Sequence, residues 1–116
     1  MIPQIETREG LDHVEAIAAV PGVDALWLGH FDLTNFMGLP GQFKHPDYLA
    51  AVDRIVAACE RHGKTAAFLA LDDDWARDYS AKGFRLMAYG VDQLMLQRAL
   101  SEGLALLRSA SASGHT

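Results

Sequence analysis

The chain alternates short apolar runs with longer segments in which apolar residues recur every three or four positions. The short runs predict four strands, at residues 2–6, 24–28, 65–70 and 84–88. The longer segments predict four helices, at residues 8–20, 46–62, about 73–82 and 92–108. Strand and helix therefore alternate along the chain.

Four consecutive strand–helix units favour an α/β fold with a parallel sheet, because a helix is the usual crossover between parallel strands. The run from Ala25 to Leu28 is apolar at every position, which is typical of a strand buried on both faces. Residues 1–108 are predicted to form the folded domain. The small polar residues 109–116 are predicted to be a flexible tail.

One connection is unusually long. Residues 29–45 are predicted to be a loop with one helical turn near residues 32–36. Loops of this length are uncommon inside compact domains and often carry function.

Composition narrows the class of protein. The chain has 116 residues, too few for a complete (β/α)8 barrel of about 250 residues. Its net charge of -5 disfavours a nucleic-acid partner. A single cysteine, Cys59, excludes an internal disulfide. No apolar run approaches the length needed to span a membrane, and no signal peptide precedes the first strand, so we expect a cytoplasmic protein.

Polar residues cluster where the predicted strands end, which is where parallel α/β folds place their sites. Gln4 and Glu6 are two residues apart and therefore point to the same side of the first strand. Asp32 follows the neighbouring strand. Two carboxylates and an amide could form an open site for a hard divalent cation. Alternatively, Asp32 caps a helical turn and Glu6 favours the N-terminus of the next helix.

Other polar residues have simpler interpretations. Asp72, Asp73 and Asp74 are expected to cap and begin a helix, and Cys59 to lie in a core stripe. Two interpretations of His30 remain open. It could lie beside the site or the substrate, or it could be a hydrogen-bonded loop histidine. The remaining histidines are expected at the surface or at helix ends: His13, His45, His62 and His115.

The joint spacing of several motifs resembles a known family. The motifs are Gln4 to Gly10, Val20 to Gly29, Phe31 to Leu33, Met37-Gly38, His45-Pro46, Gly83-Phe84 and Tyr89 to Asp92. In this order they resemble the HpcH/HpaI-type aldolases, which are metal-dependent class II pyruvate aldolases. Members include 4-hydroxy-2-oxoheptanedioate aldolase and 2-keto-3-deoxy-sugar-acid aldolases. The family usually has proline at the position of His30 and a small residue at that of Phe31.

The resemblance implies a fold and a set of site residues. The family fold is a (β/α)8 TIM barrel, and residues 1–108 correspond to its C-terminal half, strands five to eight. Glu6 and Asp32 match the two metal ligands, for Mg2+, Mn2+ or Co2+. Gln4 matches a residue that contacts the pyruvate part of the substrate, and Phe31 and Asp32 match positions whose backbone binds substrate. The family's catalytic histidine, aspartate and arginine lie in the other half, so this chain is expected to hold no catalytic residue.

The implied reaction is cleavage of 4-hydroxy-2-oxo acids to pyruvate and an aldehyde. The implied partners are the missing N-terminal half-barrel or further copies of the chain, since full-length members are hexamers. Two alternatives remain. The chain could be a non-catalytic half-barrel that associates through its open sheet edges. It could also be a flavodoxin-like signalling domain, although it has four units and no lysine after the last strand.

Overall fold

A computed structural model describes residues 1–113, with one parallel sheet of four strands. The strands are β1 (Gln4–Ile5), β2 (Ala25–Leu28), β3 (Thr65–Ala70) and β4 (Leu86–Tyr89). They lie side by side in chain order. The predicted α/β fold of four strand–helix units is confirmed.

Six helices connect and follow the strands. They are α1 (Arg8–Asp12), α2 (Val14–Ala18), α3 (His30–Phe36), α4 (Pro46–Arg61), α5 (Asp73–Ala81) and α6 (Asp92–Ser113). Side chains cap three of them: Thr7 accepts from the Gly10 N–H, His45 from Asp47, and Asp72 from Trp75. Each cap satisfies an N–H that the helix itself leaves unpaired.

Three segments differ from the prediction. The helix expected over residues 8–20 is divided at His13, whose backbone leaves the helical region (ψ 12°). The expected loop over 29–45 contains the seven-residue helix α3. Helix α6 continues to Ser113, so the boundary predicted at residue 108 falls inside a helix. Residues 114–116 of the predicted tail lie outside the described residues.

The two faces of the sheet have different environments. Cross-strand pairing aligns Gln4, Trp27, Ala67 and Leu86 in one row. Because side chains alternate along a strand, the next row lies on the opposite face. That second row, which contains Ile5, Leu28, Phe68 and Met87, packs against the helices in the hydrophobic core. In the first row, by contrast, Gln4 and Leu86 are exposed, Trp27 is half-buried, and only the small side chain of Ala67 is buried.

Aromatic side chains fill the layer between the sheet and helices α4 and α5. The rings of Phe68 and Tyr79 stack in parallel with centroids 3.7 Å apart. The hydroxyls of Tyr48 and Tyr79 share a buried 2.7 Å hydrogen bond. Cys59 is buried in the same core, where burial raises the pKa of its thiol. Its predicted place in a core stripe is confirmed.

Helix α6 projects away from this body. Every side chain from residue 92 to residue 111 is exposed, and the longest dimension of the molecule is 68 Å. The radius of gyration is 18.8 Å, whereas a compact domain of this length has one of about 13 Å. Within residues 1–113, no helix combines the length and apolar character needed to cross a membrane.

Candidate metal and substrate site

The end of β1 brings an amide and a carboxylate together. Gln4 lies on the strand and Glu6 follows it directly. The Gln4 Nε2 donates a 2.5 Å hydrogen bond to Glu6 Oε2. The prediction that these two side chains share one side of the strand is therefore confirmed. Thr7, not Glu6, caps α1. Glu6 lies directly before that cap, so the alternative that its charge favours the N-terminus of the helix stays open.

Gly29 lies directly against these two side chains and forms the base of the candidate site. It follows β2, and its N–H donates a 3.0 Å hydrogen bond to the carbonyl of Ile5. A Cβ on Gly29 would lie 2.6 Å from Gln4 Nε2 and 2.7 Å from Glu6 Cβ. Only a residue without a side chain fits here without moving the pair. Sequence reasoning placed Gly29 at a strand end but missed this role, which depends on the register between β1 and β2.

Asp32 lies in the first turn of α3, which begins after neighbouring strand β2. The helix starts at His30 with Gly29 as its N-cap, so the alternative in which Asp32 caps this helix is wrong. The Asp32 side chain is exposed. Among residues 1–113, its carboxylate has no hydrogen-bonding partner. Its oxygens are thus free to bind a ligand at the C-terminal ends of the strands, where Glu6 also lies.

These groups fit an open cation site. No three His, Cys, Asp or Glu side chains within residues 1–113 converge closely enough to hold a metal ion. Glu6 and Asp32 offer carboxylate oxygens, and Gln4 keeps its amide oxygen available while its Nε2 is engaged. Hard divalent cations prefer such oxygen ligands and commonly complete their coordination with water and substrate.

The first turn of α3 offers backbone donors beside Asp32. The first internal bond of this helix runs from the Leu33 N–H to the Gly29 carbonyl, at 2.8 Å. The N–H groups of His30, Phe31 and Asp32 precede it and have no partner inside the helix. The Phe31 ring contacts the rings of His30 and Phe43, with centroids 4.4 and 5.1 Å away. At Phe31, therefore, the backbone rather than the ring is the group available to a bound carboxylate.

His30 is buried inside the aromatic layer. Its side chain is 4% exposed and contacts Phe31, Phe43, Phe68 and Trp75. Its Nε2 has no hydrogen-bonding partner in the described part of the chain, residues 1–113. Burial lowers the pKa of His30, opposed by a hydrogen bond to the backbone of Leu28 and by the Asp32 carboxylate. The alternative of a fully hydrogen-bonded loop histidine is therefore wrong.

Arg8, the first residue of α1, joins this helix to α3, a contact that sequence reasoning missed. Its Nε donates to the Phe36 carbonyl at 2.6 Å and its Nη2 to the Met37 carbonyl at 2.5 Å. These carbonyls lie at the C-terminal end of α3, where cationic groups interact favourably with the helix dipole. Arg8 thus holds the helix that carries Asp32 against the segment that carries Glu6.

The remaining polar candidates take the structural places expected of them. Asp72 caps α5, and Asp73 and Asp74 lie in its first turn. His45 caps α4, and His62 hydrogen-bonds Glu15. His13 lies exposed between α1 and α2, whereas His115 is outside the described residues.

Comparisons with known proteins agree with this architecture. The sequence model of the HpcH/HpaI aldolase/citrate lyase family matches residues 1–99. A hydroxypyruvate/pyruvate aldolase from Paraburkholderia phytofirmans is 42% identical over 93% of this chain and 42% of its own length. A 2-keto-3-deoxy-L-rhamnonate aldolase from Klebsiella pneumoniae is 34% identical over 97% of the chain and 42% of its own length.

A solved structure supports the same conclusion. A family member from Burkholderia cenocepacia J2315 superposes with a TM-score of 0.88 and 39% identity, covering 92% of this chain and 42% of that one. The chain therefore spans about two fifths of the relatives it matches, as expected for part of a barrel. On its sequence and its fold, the chain belongs to the HpcH/HpaI aldolase/citrate lyase family.

Proposed function

We propose that this chain supplies the metal-binding half of the active site of a divalent-metal-dependent aldolase. The reaction is the cleavage, or the reverse formation, of 4-hydroxy-2-oxo acids, giving pyruvate and an aldehyde. The observation that carries the proposal is the arrangement of Gln4 and Glu6 over Gly29. The unpaired carboxylate of Asp32 follows the adjacent strand, so it lies at the same end of the parallel strands as Glu6.

In this proposal Glu6 and Asp32 hold the ion, which is Mg2+, Mn2+ or Co2+. A divalent ion bound there supplies Lewis acidity toward the oxygens of a 2-oxo acid. Gln4 orients Glu6 through its Nε2 and presents its amide to the pyruvate part of the substrate. The backbone N–H groups of Phe31 and Asp32 bind the substrate carboxylate, as the free N–H groups of a first helical turn commonly do.

The chain carries no group proposed to move the substrate proton. The family resemblance assigns that step to a histidine–aspartate pair in the N-terminal half of the barrel, together with an arginine. Because the chain matches only about two fifths of its relatives, we propose that activity requires the complementary half. The cytoplasmic location stays a prediction from the sequence.

Two kinds of exposed surface support association with another chain, namely the outer edges of the sheet and helix α6. Within residues 1–113, β1 and β4 are the outer strands of the sheet and each has one edge without a partner strand, a feature that promotes pairing with another chain. Helix α6 exposes seven large apolar side chains: Leu94, Met95, Leu96, Leu100, Leu104, Leu106 and Leu107. We therefore propose that the strand edges pair with the missing half-barrel and that α6 packs on a second copy of the chain. A non-catalytic half-barrel would show the same association without turnover.

Metal binding by the chain tests the assignment of the ligands. Mn2+ is titrated into the full chain and into the variants Glu6→Gln and Asp32→Asn, with calorimetry as the readout. We expect each variant to weaken binding at least about tenfold, because each removes one of two charged ligands. Asp74→Asn, an exposed acid in the first turn of α5, is the matched control and should bind as the wild type does.

Turnover tests the reaction. The chain is assayed for pyruvate release from a 4-hydroxy-2-oxo acid with Mg2+ or Mn2+. The assay is run with and without the N-terminal half of the Paraburkholderia phytofirmans relative. We expect release only from the mixture, and its loss with Glu6→Ala. Release by this chain alone that survives Glu6→Ala would overturn the proposed roles, and a mixture that binds Mn2+ without turnover would favour the non-catalytic alternative.

A further inference from the structure

A cavity lies between the segment 41–45 and helix α5, apart from the carboxylates of the candidate metal site. Its volume is about 740 Å³, which falls within the range of small-molecule sites. Phe43, Trp75 and Tyr79 contribute aromatic rings to its lining. Small-molecule sites are commonly apolar, with a few polar groups that fix the orientation of the ligand. The polar residues of the lining therefore decide what this cavity can bind.

One hydroxyl proton of the buried tyrosine pair has no acceptor. The hydroxyls of Tyr48 and Tyr79 share a 2.7 Å hydrogen bond in which either oxygen could be the donor. Two hydroxyls carry two protons, and the shared bond uses only one of them. Neither oxygen makes another hydrogen bond within residues 1–113. Because an unpaired buried donor is costly, the second proton favours an acceptor that comes from outside the chain.

The cavity gives such an acceptor a way to reach the pair. Tyr79 is part of the cavity lining, whereas Tyr48 is not. Apart from the cavity the pair is closed off, since Tyr48 is 0% exposed and Tyr79 is 3% exposed. When Tyr48 donates the shared bond to Tyr79, the proton of Tyr79 remains for a molecule in the cavity. That molecule must therefore carry a hydrogen-bond acceptor.

Two further residues of the lining also offer donors. His45 Nδ1 accepts a 3.2 Å hydrogen bond from the Asp47 N–H, so in the neutral imidazole the proton lies on Nε2. The Lys44 ammonium has donors only, and it forms no hydrogen bond or ion pair within residues 1–113. The polar groups that remain available in the lining are thus mainly donors.

The charges around the cavity favour an anionic acceptor. Asp74 and Asp78 also line it, but each carboxylate already binds a cation, Arg77 at 3.2 Å and Lys82 at 2.6 Å. Among the aspartate and lysine side chains of the lining, only Lys44 has no oppositely charged partner within residues 1–113. A carboxylate fits these groups, because it accepts hydrogen bonds at both oxygens and pairs with an ammonium.

We propose that this cavity is a binding site for a small aromatic carboxylate. The ligand ring lies against Phe43 and Trp75, whose half-buried rings meet at 70° with centroids 5.0 Å apart, and aromatic rings favour packing of this kind. The ligand carboxylate accepts a hydrogen bond from the Tyr79 hydroxyl and pairs with Lys44. The proposal does not rest on the aldolase function, because neither proposed metal ligand lines the cavity.

The test titrates benzoate into the full chain without added metal, with the tryptophan indoles labelled with 15N and followed by NMR. The two tryptophans distinguish the two sites, because Trp75 lines the cavity and Trp27 lies in the open-face row that begins with Gln4. We expect benzoate to shift the signal of Trp75 and not that of Trp27. Benzamide has nearly the same shape without the charge and should bind about fivefold more weakly. Acetate lacks the ring and should bind at least about tenfold more weakly.

Tyr79→Phe and Tyr48→Phe are a matched pair of variants, since each removes one hydroxyl of the same buried hydrogen bond. Tyr79→Phe should weaken benzoate binding about tenfold, as loss of a hydrogen bond to a charged group does. Tyr48→Phe should leave the affinity within about twofold, because Tyr79 keeps its proton for the ligand.

Three results would overturn the proposal. They are a Trp75 signal that benzoate leaves unchanged, equal affinity of the wild type for benzoate and benzamide, and an equal loss of benzoate binding in the two tyrosine variants. The first two are measured on the wild type and decide the question even if a variant does not fold. A shift of Trp27 alone would place benzoate at the open face and would leave the proposed aldolase site untouched.

Discussion

The two faces of the sheet differ in how well the rest of the chain covers them. On one face, Leu28 and Phe68 are fully buried beneath helices that the chain itself supplies. On the other, Leu86 is 40% exposed in the row that begins with Gln4. The proposed metal and substrate site lies at the rim of this open face.

The residues that stabilise the fold and those of the proposed site therefore lie on different faces of the sheet. The helix-covered face carries large buried side chains such as Leu28 and Phe68, and burial of such apolar groups is the main source of stability in a small domain. The open face holds the amide and the carboxylate over Gly29. Changes to the first face should therefore act mainly on unfolding, whereas changes to the second should act mainly on binding and association.

The largest expected effect contrasts Phe68→Ala with Leu86→Ala. Phe68 is fully buried in the aromatic layer, so its truncation should lower the free energy of unfolding by about 3–5 kcal/mol. Leu86→Ala removes a side chain from the open face and should cost less than about 1 kcal/mol in the same chain. Urea denaturation followed by circular dichroism measures both values. Equal losses would mean that the open face is as well packed as the closed one.

A smaller effect is expected from the buried tyrosine pair at alkaline pH. Burial is the main cause that raises the pKa of Tyr79 to about 12, against about 10 in an unfolded chain. A raised pKa gives stability that is complete below pH 10 and is lost as the pH rises toward 12. The free energy of unfolding should therefore fall by about 1.4 kcal/mol per pH unit from Tyr79 alone over this interval.

Urea titrations at pH 8 to 11.5 measure this dependence, with Tyr79→Phe as the variant. The variant should lose part of the alkaline slope, although Tyr48, whose pKa burial also raises, keeps the rest. Tyr89→Phe is the comparison at the surface. Tyr89 is exposed, and its hydrogen bond to Asp73 raises its pKa, so we expect its removal to change the slope less than Tyr79→Phe does. Identical alkaline slopes in the wild type and Tyr79→Phe would contradict the assignment.

A further effect on stability, below that of Phe68→Ala, is expected at Gly29, beside Gln4 and Glu6. Gly29→Ala places a Cβ within 2.7 Å of Gln4 and Glu6. It should cost about 1–3 kcal/mol, as overpacking does, and it should weaken Mn2+ binding. The control is Gly103→Ala in α6, where a Cβ meets no atom within 4 Å and helix propensity predicts a gain of up to about 1 kcal/mol. Unchanged unfolding and Mn2+ binding in Gly29→Ala would show that the pair tolerates the extra carbon.

Local patterns explain which parts of the fold could be predicted. The strand at Thr65–Ala70 was predicted with its observed bounds, since a continuous apolar run ends there at an aspartate that caps the next helix. The shared direction of Gln4 and Glu6 follows from the two-residue period of a strand. Both features depend on only a few neighbouring residues.

The features that escaped prediction depend on contacts between distant segments. Helix α3 has its C-terminal carbonyls held by Arg8, which is 28 and 29 residues away in sequence from the two carbonyls it binds. The role of Gly29 requires the register between two strands. The aromatic surroundings of His30 come from residues as distant as Trp75. A periodic pattern in one chain carries no information about such pairings.

The projecting helix has a consequence for how the chain behaves in dilute solution. Helix α6 is 22 residues long, and its side chains from residue 92 to residue 111 are all exposed. Such a helix gains little from its own chain, and isolated helices are only marginally stable in water. If a second copy covers the apolar side chains of α6, ordering of the helix and association become one equilibrium governed by mass action. Helicity should then increase with the concentration of the chain itself. If a different polypeptide covers them, dilution of this chain alone would leave its helicity constant, and only addition of that polypeptide would raise it.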